Sequence, residues 1–169
     1  VAVENPRGAG VILGQAHFAR TATSLRAALA PHAGLRFGVA FNEASEGHPG
    51  TPGLRVRCEG NDEGLTELAA RNALALGAGH AFVVVLDGAF PLQCLNAVKA
   101  TPEVCRVFCA TNNPLQVVVA EAEAAEGPEG ARSRGILGVL DGRVPQQVEG
   151  EEDRRQRIGF LQDIGHLPR

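Results

Sequence analysis

Apolar and polar positions along this chain switch between two periods, and the switches mark out its elements. Leu54-Arg55-Val56-Arg57-Cys58-Glu59 alternates strictly, the period-two pattern of a strand with one dry face and one charged face. Leu65, Leu68, Ala69, Asn72 and Leu76 fall instead on a single stripe, the mark of an amphipathic helix. Asn61 or Asp62 is placed to cap its start, and Gly77 to end it. Ala81 to Leu86 is apolar throughout, which predicts a central strand covered on both faces. Val11-Ile12-Leu13 and Leu35 to Phe41 read as strands flanking a helix that is capped by Thr23 or Ser24 and carries Leu25, Ala28 and Leu29.

Further on, Pro91 opens a helix with Leu92, Leu95 and Val98, halted at Thr101-Pro102. Val104 to Ala110 and Leu115 to Ala120 read as strands joined by Thr111-Asn112-Asn113-Pro114. His48 to Gly53 has the composition of a plain turn or loop, and Glu121 to Arg134 that of an exposed loop. Ile136 to Leu140, Asp141-Gly142 and Val144 to Val148 together signal a hairpin. Acidic Glu151-Glu152-Asp153 suits the start of a last helix with Ile158, Leu161 and Ile164 on its apolar face. Alternating helix and strand signals, without an internal repeat, predict a single-domain α/β fold, a layered sheet with flanking helices spanning residues 1–169.

Composition narrows the function. At 169 residues, 44% hydrophobic and 21% charged, the chain is long enough to bury a real core. No apolar run approaches the ~20 residues of a membrane span, and Val1 opens into charged, Pro- and Gly-containing sequence unlike a signal peptide. Acids and bases are mixed, with a net charge of −3, which argues against a nucleic-acid or membrane-surface partner. Cys58, Cys94, Cys105 and Cys109 contain no CxxC pair. They are expected to be buried free thiols of a cytoplasmic protein, Cys105 and Cys109 on one strand face. Lys99 is the only lysine, so a phosphate site must draw on arginine, backbone N–H groups or a metal.

The P-loop, the dinucleotide fingerprint and the protein-kinase motifs are all absent. What remains is a set of polar islands at strand ends, where open α/β sheets gather ligands: Gly14-Gln15-Ala16-His17, Asn42-Glu43-Ala44-Ser45, Glu59-Gly60-Asn61-Asp62, Gly77-Ala78-Gly79-His80, Thr111 to Pro114, and Asp141-Gly142. Gly77 and Gly79 could let backbone amides approach an anion beside His80, whose neutral imidazole is a competent nucleophile; a helix C-cap and a hydrogen-bonded histidine would explain the same residues. His17 is open to the same two readings, while His32, His48 and His166 read as surface residues. Glu43 with Asp62 or Glu59 is a candidate Mg²⁺ pair. Asn61 and Asp62 are equally explained as caps, and Asn113 and Asp141 as turn residues.

These islands also carry a resemblance. Val11 to Phe18, Phe37 to Ser45, Val56 to Asp62, Asn72-Ala73-Leu74, Gly77 to His80, Ala89-Phe90-Pro91, Glu103 to Pro114 and Gly135 to Gly142 resemble, in order, the motifs of the adenosine-specific kinase family. The resemblance implies an α/β fold distinct from P-loop and ribokinase-like enzymes, in a homo-trimer or hexamer. It implies adenosine, AMP or ADP as ligand, phosphoryl transfer from ATP with Mg²⁺, and a phosphate-bearing histidine, carried here to His80 first and His17 second. Gly14, Gln15, Ser45, Arg57, Asn61, Asp62, Gly77, Gly79 and Asn113 are the candidate nucleotide contacts, and Glu43 a catalytic or metal-binding carboxylate. The alternative is an oligomeric adenosine or AMP sensor without catalysis. Glu46 to Gly53 and Ala122 to Arg134 depart from the family pattern, being longer and richer in Gly, Pro and Glu.

Overall fold

A computed structural model describes residues 1–48 and 51–168. Five strands form one fully antiparallel sheet in the order β5-β2-β6-β1-β7. They are β1 (Gly10–Ala16), β2 (Arg36–Asn42), β5 (Val56–Gly60), β6 (Ala81–Asp87) and β7 (Val104–Thr111). Helices α1 (Thr21–Leu29) and α3 (Pro91–Lys99) cover one face. The other is covered by α2 (Glu63–Leu76) and by a long hairpin of β8 (Leu115–Glu123) and β9 (Arg132–Asp141). The expected mixed α/β fold is therefore present, and among the described residues no helix is long and apolar enough to cross a membrane.

Two cores result, one on each face, and the central strand feeds both. Phe82, Val84 and Leu86 pack with Leu25, Leu29 and Phe37 beneath α1 and α3; Val83 and Val85 pack with Leu65, Leu68 and Leu76 beneath α2. Burial on both sides is why Ala81 to Leu86 lacks polar alternation. The stripe expected of α2 is buried as a whole. Asp62 caps it, accepting a hydrogen bond from Leu65 N at 3.0 Å, and Gly77 ends it at φ +58°.

Several expectations are corrected. The helix α1 starts earlier than Thr23 or Ser24, with Arg20 at its N-cap and no side-chain cap. In α3 the inward residues are Pro91, Cys94 and Val98, while Leu92 is exposed. Residues 121–134 are no simple loop, since β8 and β9 extend well into them. No hairpin joins Ile136–Leu140 to Val144–Val148 either. Instead β9 pairs back onto β8, because Ile136 and Val139 then share the α2-side core with Val117 and Val119. Val144 and Val148 are left exposed. Asp141-Gly142 ends that strand: Asp141 accepts from Thr111 Oγ1 at 2.7 Å and Asn113 Nδ2 at 3.0 Å.

The expected loop over 48–53 holds a small ribbon, β3 (Gly47–His48) paired with β4 (Thr51–Pro52); Pro49, Gly50 and the His48 side chain lie outside the described residues. His32 and His166 are half-buried rather than on the surface. Only Cys94 is fully buried; Cys109 is half-buried and Cys58 and Cys105 are exposed, all four free. Two register shifts of β7 against β1 interrupt the alternation between Cys105 and Cys109. The last helix, α4 (Glu151–Asp163), is present but buries no residue.

Candidate functional site

Antiparallel pairing decides which polar islands meet. Because β1 and β2 run against β6, the ends of β1 and β2 and the start of β6 lie on one edge of the sheet. That edge collects His17, Glu43, Ser45, Gly77, Gly79 and His80, joined by Arg57 at the start of β5. The ends of β5 and β7 lie on the opposite edge, with Asn61, Asp62 and Asn113. From Phe37 to Asn42, β2 spans about 17 Å at ~3.4 Å per residue, and the fourteen residues of α2 span about 21 Å at ~1.5 Å each. Glu43 and Asp62 therefore cannot share a cation, and the start of α2 cannot share one nucleotide with Gly77 and Gly79.

At the far edge the polar groups have structural partners. Asn61 accepts from Phe37 N and donates to Leu35 O, both at 2.8 Å. Asp62 caps α2 and stands 3.3 Å from Arg36 Nη1. Asn113 is tied to Asp141. Among the described residues no group of three or more His, Cys, Asp or Glu could hold a metal.

The near edge centres on two histidines. Their rings meet edge-on, with centroids 4.9 Å apart, and His80 also stacks on Phe41 at 6.0 Å. Neither imidazole has a hydrogen bond among the described residues. The His80 backbone is committed, however: His80 N donates to Asn42 O at 2.8 Å, and its carbonyl accepts from Ala16 N at 2.9 Å. Gly77 N and Gly79 N likewise donate to Ala73 O and Arg134 O, so the expected anion nest at this loop is not formed. His80 holds φ +61° and Phe18, next to His17, φ +137°. Non-glycine residues adopt such angles at a cost, and they gather at functional sites. Burial first, and then the nearby His17, push the His80 pKa down against the opposing pull of Glu43.

Glu43 is buried. Burial raises its carboxyl, but hydrogen bonds from Ser45 Oγ at 2.8 Å and Ser45 N at 3.2 Å, with Arg57 Nε at 3.3 Å, outweigh burial and hold it below the usual carboxylate range. It stands ionised beside the histidines and also lines a cavity of about 660 Å³, a size suited to a small organic ligand. Leu54, Val56 and Leu74 supply apolar wall, and Ser45, Arg55 and Arg134 polar groups. Gly14 and Gln15 lie within β1 instead; a Cβ on Gly14 would come 2.2 Å from Phe82 Cζ, so this glycine is required by packing.

Sequence reasoning missed part of this edge. Arg132 and Arg134 line the cavity because β9 runs past the end of α2, where Gly79 N donates to Arg134 O, and both pair with Glu121. Asn42 is buried in the cavity wall, donating to Ala73 O at 2.8 Å and Ala78 O at 2.9 Å. The sequence placed Asn42 in a strand-end island, but its role in bonding the end of α2 to the sheet shows only in the fold.

Comparison with known proteins agrees with this architecture. The crystal structure of the PH1918 protein from Pyrococcus horikoshii OT3 superposes with a TM-score of 0.83 at 36% identity, over 100% of this chain and 96% of that one. Nothing matches among curated proteins. The family model described as "Adenosine specific kinase" matches residues 1–167. With its motifs in order and its fold shared, the chain belongs to the adenosine-specific kinase family.

Proposed function

We propose that this protein binds adenosine and adenine nucleotides in the cavity beside Glu43 and transfers phosphate from ATP to adenosine by way of His80. The observation that carries the reading is Glu43, which lines the cavity of about 660 Å³ and also lies close enough to act on His80, an imidazole with no hydrogen-bond partner among the described residues, its pKa lowered by burial and by His17. Lowering a histidine pKa keeps the ring neutral near pH 7, so a nitrogen lone pair is free to attack. That nitrogen forms a bond to the γ-phosphorus while the bond from phosphorus to the bridging oxygen breaks, and ADP leaves with the electron pair. A hydroxyl of adenosine then attacks the same phosphorus, the P–N bond breaks, and the hydroxyl proton passes to the freed imidazole. His17 stands against the reacting ring, and Arg57, held by Glu43, offers positive charge to the transferred group.

The pair Glu43 and Asp62 does not fit Mg²⁺, so no step is routed through a protein-bound metal; ATP brings the Mg²⁺ that its own triphosphate chelates. Self-association as a trimer or hexamer belongs to the same proposal, supported by exposed Leu137, Leu140, Val144 and Val148. Four free cysteines support a reducing, cytoplasmic setting. An adenosine or AMP sensor without turnover is the second reading, and it draws on the occupied amides of Gly77, Gly79 and His80, which leave no nest for a triphosphate.

Incubation with Mg²⁺ and γ-labelled ATP, with and without adenosine, separates the two. The kinase reading expects labelled AMP, and acid-labile, base-stable label on the protein that His80→Ala abolishes. Undiminished protein labelling in His80→Ala removes that histidine from the mechanism. Adenosine binding without either labelled product leaves the sensor.

A further inference from the structure

The edge that carries His80 presents polar side chains from all five strands of the sheet, in spatial order. Arg57 comes from β5, Glu43 from the end of β2, His80 from the start of β6, His17 from the end of β1, and Glu103 from the start of β7. The two flanks of this row are built alike. On one, Glu43, its side chain 4% exposed, accepts from Ser45 Oγ at 2.8 Å and Arg57 Nε at 3.3 Å. On the other, Glu103, also 4% exposed, accepts from Ser24 Oγ at 2.9 Å and from Arg20 Nε. Each buried carboxylate thus fixes one hydroxyl and one guanidinium, and the histidine pair lies between them.

We propose that Arg20, positioned by Glu103, is a second phosphate-binding guanidinium of the histidine site, facing Arg57 across His17 and His80. The inference rests on the kinase reading and deepens it, because a phosphoryl group on His80 would sit beside the Glu43 carboxylate and need more positive charge than Arg57 alone supplies. Glu103 grips the His17–Arg20 segment twice. Its carbonyl accepts from His17 N at 2.9 Å, and its carboxylate holds Arg20. The backbone of His17 and the guanidinium of Arg20 are therefore referred to one anchor, on either side of the strained backbone of Phe18. Bonding through Nε leaves the outer edge of the fork available, and the Arg20 side chain is 65% exposed; a planar fork suits phosphate oxygens. Burying a carboxylate is costly, and Glu103 Oε2 has no hydrogen-bond partner among the described residues. This anchor is therefore not part of a closed structural network, which fits a positioning role.

The test uses inorganic phosphate as probe, followed through the imidazole resonances of His17 and His80 by NMR. Native protein and Arg71→Ala, an exposed arginine on α2, are expected to bind phosphate equally. Arg20→Ala should weaken binding tenfold or more. Arg20→Lys keeps the charge against buried Glu103, and with it the fold, but loses the fork; it should weaken binding several-fold. Glu103→Gln should weaken binding and disperse the Arg20 Nε–H resonance without moving adenosine affinity. Phosphate affinity unchanged in folded Arg20→Ala and Arg20→Lys, or no phosphate-dependent shift at either histidine of the native protein, overturns the assignment. Phosphate binding that depends on Arg20 in a protein giving neither labelled AMP nor labelled protein sinks the kinase reading alone and leaves Arg20 as part of an anion site.

Discussion

His80 combines a left-handed backbone angle, an edge contact with His17 and a lowered pKa. Its pKa makes a signed prediction about stability. Below about pH 6.5, the ordinary histidine value, the unfolded chain takes up a proton that folded His80 resists. The stability present above that pH is therefore lost as pH falls toward the folded value. Glu43 and Glu103 are held below the ordinary carboxylate range; their contribution persists above about pH 4.5 and is lost only as pH falls through their depressed values. Urea midpoints measured from pH 8 down to about pH 2 should fall in two stages, the carboxylate stage lying below about pH 4.5, and His80→Ala should remove the first. A variant that keeps the full loss between pH 7 and pH 5.5 would place that proton uptake on another group. Much of this was legible in the chain, because His17, Glu43 and His80 each stand where an apolar run meets a break. Glu103 and Arg20 were not, since their significance lies in a pairing 83 residues apart.

Among the elements, α2 and α4 show opposite relations between pattern and packing. The stripe of α2 is matched by Val83, Val85 and Ala40 on the sheet beneath it, so its sequence pattern and its burial coincide. By contrast α4 carries Ile158, Phe160 and Leu161 yet buries none of its residues, with Phe160 59% exposed. Such a helix adds little to the stability of one subunit. Removing residues 151–169 is expected to change unfolding free energy by about 1 kcal/mol or less, a shift of at most roughly 2–4 °C, measured by thermal melting. A drop well beyond that would show α4 buried in an assembly of subunits, and sedimentation of the shortened chain would then show a smaller particle. The hairpin of β8 and β9 is where local signals misled most. Asp141-Gly142 favours a tight turn to Val144–Val148, but the competing partner, β8, offers apolar Val117 and Val119 to Ile136 and Val139.

At the scale of the whole molecule, the two edges of the sheet hold different sets of polar groups. Adenosine at 100-fold excess over its Kd should stabilise the protein by about 2.7 kcal/mol. Asp62→Ala removes the α2 cap and should cost about 0.5–2 kcal/mol, yet leave that ligand-induced gain intact. Glu43→Gln, at the other edge, should diminish it; calorimetric titration of both variants with adenosine checks the pair. Equal loss of binding in both would contradict the separation of the edges. The sequence by itself determined the class of fold, most elements, the two-faced burial of Ala81–Leu86 and the family, because these depend on local periodicity and on residues read in order. Tertiary structure decided which polar islands form a site. In a parallel sheet the islands that follow strands would share one edge, and Gly77–His80, which precedes β6, would lie on the other. Antiparallel pairing reverses each neighbour, and so sends Asn61, Asp62 and Asn113 to one edge and gathers His17, Glu43 and His80 at the other.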